Sequence, residues 1–377
     1  MSVTDQSRQL SLLVRGDCRS AARLLRDTPP FSSQAHGGAR LAYVDPPFNT
    51  GRDFGLFDDR RGSKEWSSFL EESVRSVCDL MAPDGLIFLH ITPEKAHSAR
   101  SILDGIVGPR CYMNSIVWKR GHATGAARRR LATTYDVILL YGMSSSASVN
   151  RQVVERSATY IDSAYLHADS RGRFRYDTLT SAGVRSGSSG EPWRGYDPSL
   201  AHRHWSIPRV PDLLGDRRPG QSAQDRLDLL LSAGYIEPPA NGEDPPRFKR
   251  YLASPGGSTL GDLWEDIPSL HSRSRERVGF PTQKPEALLA RIVELATSPG
   301  DLILDPFAGS GTTAAVAQKL GRPWVAIEEN SQTVAEILTP RLDRVVRGED
   351  PYGITGRGAS VGGGFHSIEL EPGVPFA

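Results

Sequence analysis

Cysteine is scarce in this chain, with three in 377 residues, at Cys18, Cys78 and Cys111. An odd number without ligand spacing offers neither a disulfide framework nor a zinc site, and it fits a reducing cytoplasm. The stretch His202-Arg203-His204-Trp205 has two histidines but no cysteine or carboxylate pattern, so no metal is expected there. No apolar run approaches the ~20 residues that span a bilayer, and Met1-Ser2-Val3-Thr4-Asp5-Gln6 has no apolar signal core. A membrane partner is therefore not expected. Internal repeats are lacking, and so is a strong charge of either sign. The net charge of +1 leaves the question of polyanion binding to local patches. What remains is an ordinary globular composition, 24% charged and 38% hydrophobic. The length allows one large α/β domain with an insertion, or two domains.

The apolar pattern is that of strands alternating with helices, which predicts a parallel, helix-covered sheet. Strands are expected at 10–14, 41–44, 86–89, 114–118 and 136–141, with helices at 20–26, 65–81 and 93–103. In the second helix, Trp66, Phe69, Leu70, Val74, Val77 and Leu80 keep the spacing of one helical face. From about Ser144 to His271 the alternation stops. Gly, Pro, Ser and Arg dominate, and Ser222 to Ala233 is the only clear helix candidate. That is too long for a simple loop and reads as an inserted recognition region. The α/β pattern resumes with a helix at 286–297, a strand at 302–304, a helix at 311–320, a strand at 324–327 and a helix at 331–346. This divides the chain into 10–143, an insertion 144–271, a second core segment 272–346, and a Gly-rich tail 347–377 expected to be loose.

Two segments 260 residues apart carry the chemistry: Asp45-Pro46-Pro47-Phe48 after Leu41-Ala42-Tyr43-Val44, and Asp305-Pro306-Phe307-Ala308-Gly309-Ser310-Gly311 after Leu302-Ile303-Leu304. Both read as the carboxyl ends of buried parallel strands, where open α/β sheets place ligands. In the second, Gly309 and Gly311 leave no side chain in a ligand's way, and the helix that follows offers unpaired N–H groups. Such a turn suits a dinucleotide or the amino-acid end of S-adenosylmethionine, but glycine turns between strand and helix also serve purely structural ends. Glu328, ending the next strand about 20 residues on, stands where a carboxylate can accept ribose hydroxyls. Asp305 suits a ligand amine or a turn cap, and Phe307 a pocket wall or the core.

The first segment is more specific. Two prolines fix φ and remove two backbone donors, leaving the Asp45 carboxylate and a backbone carbonyl as acceptors. An exocyclic NH2 offers two hydrogens to such a pair, and Phe48 can stack on its ring. Holding both hydrogens keeps the nitrogen lone pair from delocalising into the ring and aims it at an electrophilic carbon.

These residues resemble the amino-group DNA methyltransferases in the permuted motif order called the beta class. Asp45-Pro46-Pro47-Phe48 with Asn49-Thr50-Gly51 is similar to their catalytic motif, and Asp305 to Gly311 with Thr312-Thr313 to their cofactor motif. Thr282-Gln283-Lys284-Pro285 resembles the segment that closes over the cofactor's methionine end. Gly16-Asp17-Cys18 resembles the strand-end motif at the adenine end, and Tyr135-Asp136-Val137-Ile138 the strand bordering the target-base pocket, where the family often has Glu in place of Asp136. Phe48 for the commoner Tyr and Ala308 for a frequent Cys are departures.

The resemblance implies a Rossmann-like sheet with permuted motifs and an inserted, irregular DNA-recognition region. It implies S-adenosylmethionine as cofactor, held by Asp17, Cys18, Thr282, Lys284, Asp305, Phe307, Gly309, Ser310, Gly311, Thr312 and Glu328. Catalysis is implied at Asp45, Pro46, Pro47 and Phe48 on a base flipped from double-stranded DNA. A bacterial or phage-borne cytoplasmic enzyme is implied, and a cognate restriction endonuclease and a homodimer are compatible with it.

Adenine N6 is the expected target, since cytosine enzymes of the family more often carry Ser at the position of Asp45; cytosine N4 is the alternative. A catalytically inactive DNA-binding protein and a nicotinamide oxidoreductase are the other classes, but the first leaves the intact Asp45 motif without a purpose and the second leaves it unexplained.

For DNA contacts the residues themselves suggest Lys119, Arg120, Arg128, Arg129 and Arg130 as a phosphate-gripping loop, although a solvated charge run would look the same. Arg173 and Arg194 stand in an insertion rich in arginine: residues 113–280 hold 23 Lys/Arg against 18 Asp/Glu. Trp193 and Tyr196 fit a local core.

Overall fold

A computed structural model describes residues 11–27, 38–51, 55, 60, 62–121, 131–154, 156, 158–210, 213, 221–238, 244–252, 257–356 and 363–370. The chain forms two compact units, one of residues 1–152 and 261–377 and the other of residues 153–260.

The first unit is a helix-covered mixed sheet. Its elements are β1 (Ser11–Arg15), α1 (Cys18–Asp27), β2 (Ala39–Val44), α2 (Ser63–Cys78), β3 (Met81–Ile91), α3 (Pro93–Ile106), β4 (Tyr112–Lys119), β5 (Tyr135–Gly142), β6 (Leu263–Trp264), α4 (Glu286–Ala296), β7 (Ile303–Asp305), α5 (Thr312–Lys319), β8 (Trp324–Glu328), α6 (Thr339–Val346) and β9 (Phe365–Glu369). The nine strands lie in the order β6-β4-β5-β3-β2-β7-β8-β1-β9. β2 and β7 are neighbours, with Leu41 beside Ile303 and Ala42 beside Leu304. The sheet thus closes the sequence distance between the two motifs and puts them at adjacent strand ends.

The central strands are apolar on both faces because helices cover both. Leu41, Ala42, Leu86, Ile87, Leu89 and Ile303 are fully buried, each large aliphatic side chain contributing roughly 1.5–3 kcal/mol on leaving water. α2 turns Trp66, Phe69, Leu70, Ser73, Val74 and Val77 inward, the spacing of one helical stripe. α5 opens directly from the glycine turn, with Gly311 left-handed at its start (φ 72°).

Four expectations need correction. β5 runs antiparallel to both β3 and β4; consecutive strands that pair antiparallel need no crossover helix, and an apolar run does not encode direction. The helix before Val346 is not uniform, since Val334–Leu338 form a π turn. The tail is not loose throughout, because β9 pairs in parallel with β1 along its length, with Leu13 beside Ser367. The insertion is also narrower than 144–271: β6 pairs with β4 in the first unit's sheet, and Trp264 is buried there.

The second unit is less irregular than its composition suggests. Strands 236–237, 247–251, 172–178 and 167–169 form an antiparallel sheet in that order. Trp193, Tyr196, Trp205, Leu227, Leu230 and Phe248 make its own core, so Trp193 and Tyr196 pack rather than project. The helix Ala223–Ser232 starts at a capping box formed by Ser222 and Asp225.

Candidate active site

A cavity of about 560 Å³ opens at the carboxyl ends of β2, β7 and β8, within the size range of cofactor sites. Of the residues expected at the site, Asp45, Pro46, Pro47, Phe48, Asp17, Thr282, Lys284, Asp305, Phe307, Gly309, Ser310, Thr312 and Glu328 line it. Cys18 and Gly311 are not among the lining residues. The Cys18 thiol is turned into the core, donates to Ser73 Oγ at 3.4 Å, and is pushed up to about 12 by burial. Gly311 is needed for a different reason than ligand room: a Cβ there would stand 2.2 Å from Leu338 Cδ1.

On the β2 side, Asp45 Oδ2 accepts from Lys284 Nζ at 2.5 Å. Its other oxygen, Oδ1, is buried and has no partner among the described residues. A buried carboxylate oxygen left open carries a desolvation cost, and a ligand donor entering the cavity relieves it. Trp66 Nε1 donates to the Pro47 carbonyl at 2.8 Å, which pins the proline pair. The Lys284 ammonium also lies 5.2 Å from the Phe48 ring centre.

On the β7 and β8 side, Asp305 is buried and accepts from the Phe307 N–H at 3.0 Å. Burial pushes its carboxyl up to about 7, against the pull of a hydrogen bond with Thr313. Glu328 Oε2 accepts from the Gly309 N–H at 2.8 Å and Oε1 from the Asn330 N–H at 2.9 Å. One lone pair on each oxygen is thereby used to fix the carboxylate, leaving acceptor capacity for hydroxyl donors. Burial pushes Glu328 up as well. Gly309 is left-handed (φ 49°), and a Cβ on it would meet the Phe280 ring at 3.0 Å. Asp17 caps α1, with Oδ1 accepting from the Arg19 and Ser20 N–H groups.

Two clusters contain residues not singled out from sequence, Glu286, Lys319 and Arg341 in one and His90 in the other. Arg341, fully buried, donates to the Ser310 carbonyl at 3.0 Å, to Thr312 Oγ1 at 2.9 Å and to Glu286 Oε1 at 2.9 Å. Lys319 completes the pairing of Glu286 and also reaches Asp350 at 2.8 Å. This buried cluster clamps the glycine turn to α4, α5 and α6. Behind Phe48, His90 bridges the Tyr43 hydroxyl (2.7 Å) and Asp136 Oδ2 (3.2 Å). Burial pushes the Asp136 carboxyl up, but His90 and Arg120 outweigh it and hold the group below the usual carboxylate range.

The expected DNA-contacting cations are placed unevenly. Lys119 pairs with Glu265 at 2.9 Å, and Arg120 Nε lies 3.2 Å from Asp136 as an ion pair rather than an aligned hydrogen bond. Arg128, Arg129 and Arg130 lie outside the described residues. Arg173 donates to the Tyr165 carbonyl and pairs with Asp162, and Arg194 pairs with Asp228. His204 bonds the Gly183 carbonyl at 2.8 Å. No group of three or more His, Cys, Asp or Glu suited to a metal occurs among the described residues, and no helix there is long and apolar enough to cross a membrane.

The glycine turn and the acidic proline motif thus stand at adjacent strand ends of one sheet and line one cavity. The chain belongs to the DNA methylase family, whose model matches residues 39–339. The type II methyltransferase M.EcaI of Enterobacter cloacae is 29% identical over 298 residues, covering 78% of this chain; the match spans only 62% of that protein's length. The DNA adenine methyltransferase YhdJ of Escherichia coli K12 is 50% identical over 83 residues, 22% of this chain and 28% of its own. Among solved structures, the cytosine-N4-specific PvuII DNA methyltransferase is 13% identical, covering 91% of this chain and 97% of its own with a TM-score of 0.46.

Proposed function

We propose that this chain transfers a methyl group from S-adenosylmethionine to the exocyclic N6 of adenine in DNA. The observation that carries the reading is the buried Oδ1 of Asp45, without a partner among the described residues, on a side chain that lines the same cavity as the Gly309 turn and Glu328. Asp305, Glu328, Asp17 and the Gly309 turn fit S-adenosylmethionine, since they give the cavity carboxylates for its amine and hydroxyls and a left-handed glycine turn with no side chain of its own. When bound, the cofactor supplies a methyl carbon electrophilic enough to need no metal and no covalent enzyme intermediate. The chain's own task is positioning. Asp45 Oδ1 accepts one N–H of the target amine, which directs the nitrogen lone pair, and Phe48 offers its ring to the base. Lys284 holds Asp45 by its other oxygen. The base reaches this cavity only out of the duplex.

Adenine is favoured by the full charge of Asp45 and by the partial match to an adenine methyltransferase. Cytosine N4 presents the same NH2 to the same oxygen and stays the alternative. The second unit is proposed to read the target sequence, with double-stranded DNA as partner and a restriction endonuclease as companion. The test is incubation with S-adenosylmethionine and unmodified DNA, followed by nucleoside mass spectrometry. N6-methyladenine supports the reading; N4-methylcytosine would move the target but keep the site, and no methylated nucleoside would overturn it.

A further inference from the structure

His90 is fully buried in an otherwise apolar strand end, Leu86-Ile87-Phe88-Leu89-His90-Ile91. Both ring nitrogens are engaged, Nδ1 with Tyr43 Oη at 2.7 Å and Nε2 with Asp136 Oδ2 at 3.2 Å. Trp118 meets the ring edge-on, with centroids 5.5 Å apart at 89°, and Tyr43 does so at 6.1 Å and 81°. A face of the imidazole stacks on Phe48 at 5.8 Å and 29°. Held at both nitrogens, the ring cannot turn without breaking buried hydrogen bonds, and a buried polar network of this kind fixes geometry that an apolar filler would leave loose. His90 is not among the residues lining the cavity, whereas Phe48 is.

We infer that His90 is a positioning residue: it sets the plane of Phe48, and through Asp136 it links that plane to Arg120 at the end of β4. The inference rests on the methyltransferase reading, in which the target base lies against Phe48. The tilt of that ring sets the angle at which the base amine meets Asp45 Oδ1, and small misplacements of reacting groups are costly in rate. Leucine at position 90 would fill the space but fix nothing. Glutamine keeps a donor for Asp136.

The test is a double-mutant cycle on the full chain. Steady-state transfer of tritiated methyl to unmodified DNA and calorimetric S-adenosylmethionine affinity are measured for wild type, His90→Leu, His90→Gln, Phe48→Ala and His90→Leu with Phe48→Ala. His90→Leu should lower kcat by about 10- to 100-fold and leave cofactor affinity within about twofold. His90→Gln should recover a measurable part of the loss. Added to Phe48→Ala, His90→Leu should cost less than about twofold more, because its effect passes through Phe48. Losses that multiply in the double variant, wild-type kcat in His90→Leu, or a parallel loss of cofactor affinity would each overturn the assignment. Should His90→Leu fail to fold, the same cycle with His90→Gln decides by the same criterion. No transfer by the wild type would overturn the methyltransferase reading itself, and this inference with it.

Discussion

Asp45 ends β2 with a lysine ammonium at 2.5 Å, whereas Asp305, at the end of the neighbouring strand β7, has a backbone N–H and a threonine hydroxyl for company and is lifted to about 7 by burial. The same side chain at adjacent strand ends thus lines the same cavity in two different surroundings. Asp45 carries a counter-ion and has one oxygen without a partner among the described residues, which suits a neutral amine that must be oriented rather than neutralised. Asp305 has no counter-ion among the described residues, which suits a ligand that brings a positive charge. The difference teaches how one sheet can divide a transfer reaction: the strand end with the fixed cation handles the acceptor, and the strand end without one handles the cationic donor.

The largest effect expected from breaking this division is at Asp45. Asp45→Ala should lower methyl transfer by about 10³-fold or more, the scale seen when a preorganised polar group is removed from a reacting centre; tritiated transfer to DNA measures it.

Next come the two glycines, which separate ligand from packing. Gly309→Val forces a branched side chain into a left-handed position against Phe280, and strain of about 1–3 kcal/mol should weaken S-adenosylmethionine binding by roughly 10- to 100-fold. Gly311→Ala meets Leu338 instead, so its signature should be a lower melting temperature.

The pH response sharpens the contrast. Asp305 in the folded chain binds its proton up to about 7, whereas the unfolded chain releases it near the ordinary aspartate value. Between those values the folded state holds more protons, so raising pH through this window erodes stability through this group. A cationic ligand needs the ionised carboxylate, so apparent cofactor affinity should rise with pH up to about 7, by at most about tenfold per unit, and then level off. Asp305→Asn should flatten both slopes; calorimetry and thermal melts across pH 5 to 8.5 would show it.

The smallest effect should be at Arg173, already tied to Tyr165 and Asp162. Arg173→Ala should cost on the order of 1 kcal/mol in the stability of the second unit and barely change the salt dependence of DNA binding.

Both strand ends were legible in the sequence because each is a short local pattern, an apolar run followed by a turn of unusual composition. Their adjacency was not, since it depends on the order of strands in the sheet. His90 was hidden because a single histidine at the end of an apolar run carries no signal without its partners, Tyr43 and Asp136, which lie 47 and 46 residues away. Arg341 was hidden likewise, 55 residues from Glu286. β9 was missed because Phe365–Glu369 pairs at the sheet edge and is mostly exposed, so it lacks the apolar run that betrays a central strand.

The division of labour between the two carboxylates is tested most directly by calorimetric titration of S-adenosylmethionine into Asp45→Ala and Asp305→Asn, side by side at pH 8. The account predicts that Asp45→Ala binds within about fivefold of wild type while Asp305→Asn binds at least about tenfold more weakly. Equal losses in the two variants, or the larger loss in Asp45→Ala, would contradict it.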